Sequence, residues 1–258
     1  MSKYKILWQS STVIAKFPDY QEAIESHAKR IFSSDFELEV RGVQKGTSEI
    51  QFMAFDFLNN FQLFDSVVRA EKEGYDAVAI GCFLDPILDE IREIVNIPVV
   101  SLGEAGMLTA CMLGKRFSIV SYAPQMKNKR YGDLAHKYGL SERAAPLVSF
   151  DLPLTELERG FKNPGPVIKK FSQVSIDAIR QGAEVLLPGC GALNLVLIEG
   201  GLSKVEGGTV LDVSGALMKM AEMMVILKEV SGTGVSRVGY YEAPPKEMLD
   251  QVLEIYKR

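Results

Sequence analysis

Short apolar runs alternate along this chain with longer stretches in which apolar residues recur every three or four positions. The runs predict strands over 5–8, 37–43, 77–81, 98–102, 117–121, 147–150, 185–188 and 209–213. The longer stretches, 19–32, 55–73 and 166–181 among them, predict amphipathic helices between the strands. Strands that alternate with helices build parallel sheets covered on both faces, so the expected fold class is α/β.

The chain also resembles itself. Residues 73–82, EGYDAVAIGC, align with 181–190, QGAEVLLPGC, as a helix end, a glycine, a strand and then Gly-Cys. Downstream, IPVVSLGEAGM (97–107) parallels GTVLDVSGALM (208–218), and KILWQSS near residue 5 parallels FSIVSYA near residue 117. Two copies offset by roughly 110 residues describe a duplication and not a solenoid. The expectation is two pseudo-symmetric lobes, each a parallel sheet flanked by helices, with the active site in the cleft between them. The first lobe takes residues 1–113, joined by part of 225–258, and the second takes 114–224, with the boundary at 114–116. Residues 151–166 read as a loop or short helix inserted in the second lobe, placed to serve as a lid. Residues 231–258 lie outside the repeat and end in a helical pattern over 245–258.

Length and composition narrow the function classes. A chain of 258 residues can bury a real core as one large domain or two smaller ones. No stretch gathers the ~18 apolar residues of a membrane span, so no membrane partner is expected. The N-terminus enters a strand pattern at once, without the charged and apolar regions of a secretory leader, and the expected location is the cytoplasm. The net charge is -4 with both signs interspersed, which offers no basic stripe to nucleic acid. Three cysteines in a reducing compartment stay free. The two histidines, His27 and His136, lack the His/Cys spacing of a zinc site, and no metal is expected.

The chemistry therefore gathers on Cys82 and Cys190. Ligands of open parallel sheets sit beyond the carboxyl ends of the strands, where both cysteines fall. A glycine before each lets the backbone turn, and the residues after each, 83–86 and 191–194, are expected to open a helix whose free N–H groups favour a thiolate or an enolate. Two thiols facing each other have a particular use: one removes a proton from a carbon beside a carbonyl while the other delivers a proton to the opposite face, which inverts that carbon.

With these motifs in place, the sequence resembles the aspartate/glutamate/hydantoin racemase superfamily, and within it the hydantoin racemase branch. GCFLDP (81–86) and PGCGALN (188–194) resemble its two cysteine motifs, SLGEAGM (101–107) and RFSIVSYAP (116–124) its flanking elements, and VLDVSGALMKMAE (210–222) its closing helix. The resemblance implies that Cys82 and Cys190 are the catalytic acid/base pair, working without metal, pyridoxal phosphate or nucleotide on a hydantoin- or allantoin-like substrate, in a homo-oligomer. It implies that backbone N–H groups at Phe83, Gly191 and Ala192 hold the developing enolate, and that Ser121 and Tyr122 contact substrate. Where the branch carries Asn-Pro-Asn-Thr, this chain has Trp8-Gln9-Ser10-Ser11-Thr12, of which Gln9, Ser10 and Ser11 can still offer hydrogen bonds. Other outcomes of the same scaffold are amino-acid racemisation, single-cysteine cis-trans isomerisation, malonate decarboxylation, or a non-catalytic binding protein.

Other residues carry plainer expectations. Cys111 sits on an apolar helix face and reads as core. Asp85, Glu104 and Asp212 are placed to cap helices. His27 and His136 lie on polar helical stretches and read as solvated. The Met-rich run at 217–227 reads as a packed helix.

Overall fold

A computed structural model describes residues 3–122 and 126–256. Its elements run β1 (Tyr4–Gln9), α1 (Pro18–Ile31), β2 (Phe36–Arg41), α2 (Met53–Lys72), β3 (Ala77–Ile80), α3 (Leu88–Ile94), β4 (Val99–Ser101) and α4 (Leu102–Leu113) in the first half. The second half has β5 (Phe117–Ser121), α5 (Met126–Lys137), β6 (Val148–Ser149), α6 (Leu154–Gly160), α7 (Gly165–Arg180), β7 (Val185–Pro188) and α8 (Gly191–Glu199). It continues with β8 (Lys204–Val205), β9 (Gly208–Val210) and α9 (Val213–Ser231), and α10 (Lys246–Tyr256) follows.

The two halves build two sheets of one topology. The first sheet is ordered β2-β1-β3-β4, all parallel; the second is β6-β5-β7-β9-β8, parallel except for the β8/β9 hairpin. Order for order, β1, β2, β3 and β4 match β5, β6, β7 and β9, which makes the duplication a structural fact. The central strands β3, β5 and β7 (AVAI, FSIVS, VLLP) are buried at every position, as strands covered by helices on both faces must be. The hairpin strand β8 has no counterpart in the first half, and it turns on Glu206 and Gly207, both at positive φ (46° and 86°).

The last helix of each half crosses to the other. After β4, α4 packs on β5 and β7 of the second sheet; after β9, α9 packs on β3 and β4 of the first; α4 and α9 also lie against each other. Asp212 caps α9 by accepting the Gly215 N–H at 2.9 Å, which ends the last parallel strand at Val210, short of the expected 213. Beyond α9 the tail follows the first sheet's flank. The Arg237 guanidinium donates to the carbonyls of Arg92 and Glu93 at 2.8 Å each, the Tyr241 hydroxyl donates to Asp89 at 2.8 Å, and Tyr256 on α10 meets the Phe61 ring. The final residues of the expected 245–258 helix, 257 and 258, lie outside the described residues. Among the described residues no helix is long and apolar enough to cross a membrane.

Two plainer expectations change in the structure. His27 is not solvated: it is buried on the inner side of α1, and its Nε2 lies 2.7 Å from the Asp212 carboxylate. Glu104 does not cap a helix but pairs with the Arg92 guanidinium, which also donates to the Val99 carbonyl at 2.8 Å. Cys111 is partly buried against the main core, and the Met-rich run lies within α9, with Met218 buried and Met223 exposed.

Candidate active site

The carboxyl ends of the two sheets face each other across a cleft of about 90 Å³. Cys82, two residues past β3, and Cys190, two residues past β7, line it from opposite sides. The approach is close: a Cβ added to Gly191 would stand 3.5 Å from the Gly81 carbonyl oxygen across the lobe boundary.

The two Gly-Cys turns reach this position differently. Cys190 is the N-cap of α8, so the Gly191 and Ala192 amides are first-turn N–H groups without intrahelical acceptors, beside the thiol. After Cys82 no helix opens at once, contrary to expectation. Asp85 and Ile87 both take positive φ (46° and 47°) around Pro86, and α3 begins only at Leu88. The chain turns there because Asp85 serves another helix: its buried carboxylate accepts the Gly103 and Glu104 amides of α4 at 2.8 and 2.7 Å and the Tyr138 hydroxyl at 2.7 Å. Burial pushes its carboxyl up to about 6 against these donors. Asn194, four residues after Cys190, plays the corresponding part and accepts the Ser214 amide of α9 at 2.9 Å. Neither preceding glycine has positive φ. A Cβ at Gly81 would stand 2.4 Å from the Trp8 indole, and one at Gly189 would stand 3.0 Å from Ile119 and 3.2 Å from the Tyr131 hydroxyl. Close packing, and not a sharp turn, requires glycine before each cysteine.

Of the other sequence-predicted residues, Ser10, Ser11, Phe83, Tyr122, Gly191 and Ala192 line the cleft. Ser11 is buried there, and its hydroxyl has no hydrogen-bond partner among the described residues. Its backbone is held by Asn59, which donates to the Ser11 carbonyl at 2.9 Å and to the Thr47 carbonyl at 2.8 Å, tying the loop that carries Ser48 and Ile50 to the cleft. The Cys190 thiol lies 3.9 Å from the Tyr122 hydroxyl. Gln9 and Ser121 correct the expectation. Gln9 is fully buried away from the cleft, donating to the Ser10 carbonyl at 3.0 Å and accepting from Ser66 at 2.7 Å. Ser121 is buried beside Tyr131 and does not line the cleft. Both end the first strand of their half, where Gln9 turns to Ser66 and Ser121 lies against Tyr131, which itself lines the cleft.

The structure adds residues the sequence reading passed over. Tyr20 from α1 and Tyr131 from α5 enter the cleft from equivalent helices, and Leu157, Glu158 and Phe161 form a wall from the inserted segment. Burial, and then the charge of the nearby thiols, holds the phenols of Tyr20, Tyr122 and Tyr131 well above their ordinary range, so they stay protonated as donors. The signal was present in the repeat: each half places a tyrosine on the first helix after its first strand.

Residues 18–221 match the sequence profile described as Asp/Glu/Hydantoin racemase, which spans most of the chain. The chain belongs to the Asp/Glu/hydantoin racemase family. It is similar to a hydantoin racemase of Pseudomonas sp. (strain NS671), 29% identical over 92% of this chain and 92% of that one. A hydantoin racemase of Paenarthrobacter aurescens is 28% identical over 88% and 92% of the two chains. Among solved structures, an allantoin racemase from Klebsiella pneumoniae superposes with a TM-score of 0.78, 25% identity and 94% coverage of each chain. Family membership and these relatives make the protein a racemase, an isomerase built on the two-lobe fold.

Proposed function

We propose that this racemase inverts the carbon next to a carbonyl in a hydantoin- or allantoin-like ring, with Cys82 and Cys190 as a two-thiol acid/base pair and no cofactor. The observation that carries the reading is that both thiols line one cleft from equivalent points of the two lobes. One thiolate removes the proton, the electron pair moves into the ring and onto the carbonyl oxygen, and the opposing thiol protonates the other face. The enzyme then holds the reverse distribution of its proton, ready for the other enantiomer. The first-turn amides of Gly191 and Ala192 and the hydroxyl of Ser11 are among the donors that face the ring oxygens. The names of the relatives support the substrate class. Measured by the decay of optical activity of single-enantiomer 5-substituted hydantoins and of allantoin, racemisation is expected in the native protein and lost in Cys82→Ala and in Cys190→Ala. Racemisation that survives either substitution refutes the pair.

A further inference from the structure

Of the tyrosine hydroxyls in the cleft, one has no hydrogen-bond partner among the described residues. The helices α1 and α5 are counterparts, and each sends a tyrosine into the cleft that both thiols line, but the two phenols are used differently. Tyr131 is committed, donating to the Gly189 carbonyl at 2.6 Å beside Ser121. Tyr20 is 9% exposed, its ring is tilted against Phe161 at 6.0 Å, and its hydroxyl makes no hydrogen bond among the described residues. The hydroxyl hangs over the first turn of α8, 2.7 Å from where a Cβ on Gly191 would stand, next to the free amides that follow Cys190. Burial and both thiols disfavour its ionisation, so it faces a bound ring as a donor and not as a charge.

We infer that Tyr20 is a catalytic residue, donating its O–H hydrogen bond to the substrate carbonyl oxygen that becomes the enolate oxygen. The inference rests on the two-thiol reading. When a thiolate takes the carbon-bound proton, the C–H pair moves into a carbon–carbon double bond and the carbonyl π pair moves onto oxygen. Tyr20 keeps its own proton throughout and shares it most strongly at that point. As the other thiol returns a proton to the opposite face, the carbonyl re-forms and the hydrogen bond relaxes. A donor that strengthens only as charge develops raises kcat more than it lowers KM.

The test compares Tyr20→Phe with the native full-length protein by following proton-to-deuteron exchange at C5 of a 5-substituted hydantoin in deuterated buffer. Loss of one such donor is expected to lower kcat by about 10²-fold with KM changed less than about threefold. Thermal stability and the rates at which iodoacetamide alkylates Cys82 and Cys190 are expected to stay at native values. A kcat within threefold of native overturns the inference, and so does a loss that comes with slowed alkylation or a lowered melting temperature, which marks a structural role. Racemisation abolished by Cys82→Ala, with exchange untouched by Tyr20→Phe, overturns this inference alone. Absence of exchange in the native protein overturns the two-thiol reading and the inference together.

Discussion

Gly191→Ala separates the fold of this site from its working geometry. The added methyl would stand 2.7 Å from the Tyr20 hydroxyl oxygen, 3.4 Å from the Leu102 side chain and 3.5 Å from the Gly81 carbonyl oxygen. A carbon–oxygen contact settles at about 3.3 Å or beyond, so the hydroxyl or the start of α8 must move by roughly 0.6 Å. Crowding of this kind costs about 1–3 kcal/mol, and replacing glycine by alanine in a helix returns up to about 1 kcal/mol. The net change in stability is expected to stay below about 2 kcal/mol, read from urea unfolding. Activity is expected to fall further, by about 10- to 100-fold, because the shift displaces groups beside Cys190. Since the closest contact is one oxygen atom, Tyr20→Phe should remove most of the clash. In a double-mutant cycle, Gly191→Ala should then cost less than about threefold in exchange rate and little in stability in the Tyr20→Phe background. Equal losses in both backgrounds, or a fully active single variant, would refute the reasoning.

Three further outcomes follow from the same geometry. Gly81→Ala drives a methyl to 2.4 Å from the fully buried Trp8 indole and should destabilise the fold by about 2–3 kcal/mol in urea unfolding; a change under 1 kcal/mol would show that Trp8 can yield. Burial pushes the Asp85 carboxyl up to about 6, above its unfolded value, so the folded protein holds a proton that the unfolded chain releases. Its penalty is full above pH 6 and is relieved as pH falls towards 4, so the stability of native protein relative to Asp85→Asn should rise by about 2 kcal/mol between pH 7 and pH 4; a difference that shrinks on acidification contradicts this. Asn59→Ala frees the Ser11 and Thr47 carbonyls from their donors and should raise KM more than it lowers kcat, through the loop that carries Ser48 and Ile50; an unchanged KM would show that Asn59 holds nothing the substrate needs.

The strands were legible because parallel, doubly covered strands are written as uninterrupted apolar runs, and 117–121 and 185–188 match β5 and β7 at both ends. The duplication was legible for a related reason: two sheets of one topology repeat one pattern of strand, Gly and Cys. What escaped was set by partners distant in sequence. Nothing near His27 announces Asp212, 185 residues away, and nothing near Asp85 announces α4, whose amides hold it in a left-handed turn where a helix was expected. Gln9 reads as a site residue by position, yet Ser66 on α2 draws its amide inward. The tyrosine pair was written in the repeat, but buried aromatics are common enough in cores that only the cleft distinguishes Tyr20.

The central claim is that Cys82 and Cys190 serve opposite faces of one carbon. It is tested most directly by giving each enantiomer of a 5-substituted hydantoin separately to Cys82→Ser and Cys190→Ser in deuterated buffer and following deuterium at C5 and optical rotation together. Each variant is expected to exchange the proton of one enantiomer only, with opposite preference in the two variants and no inversion by either. Two variants that share one preference, or one that still racemises, would contradict a two-thiol mechanism.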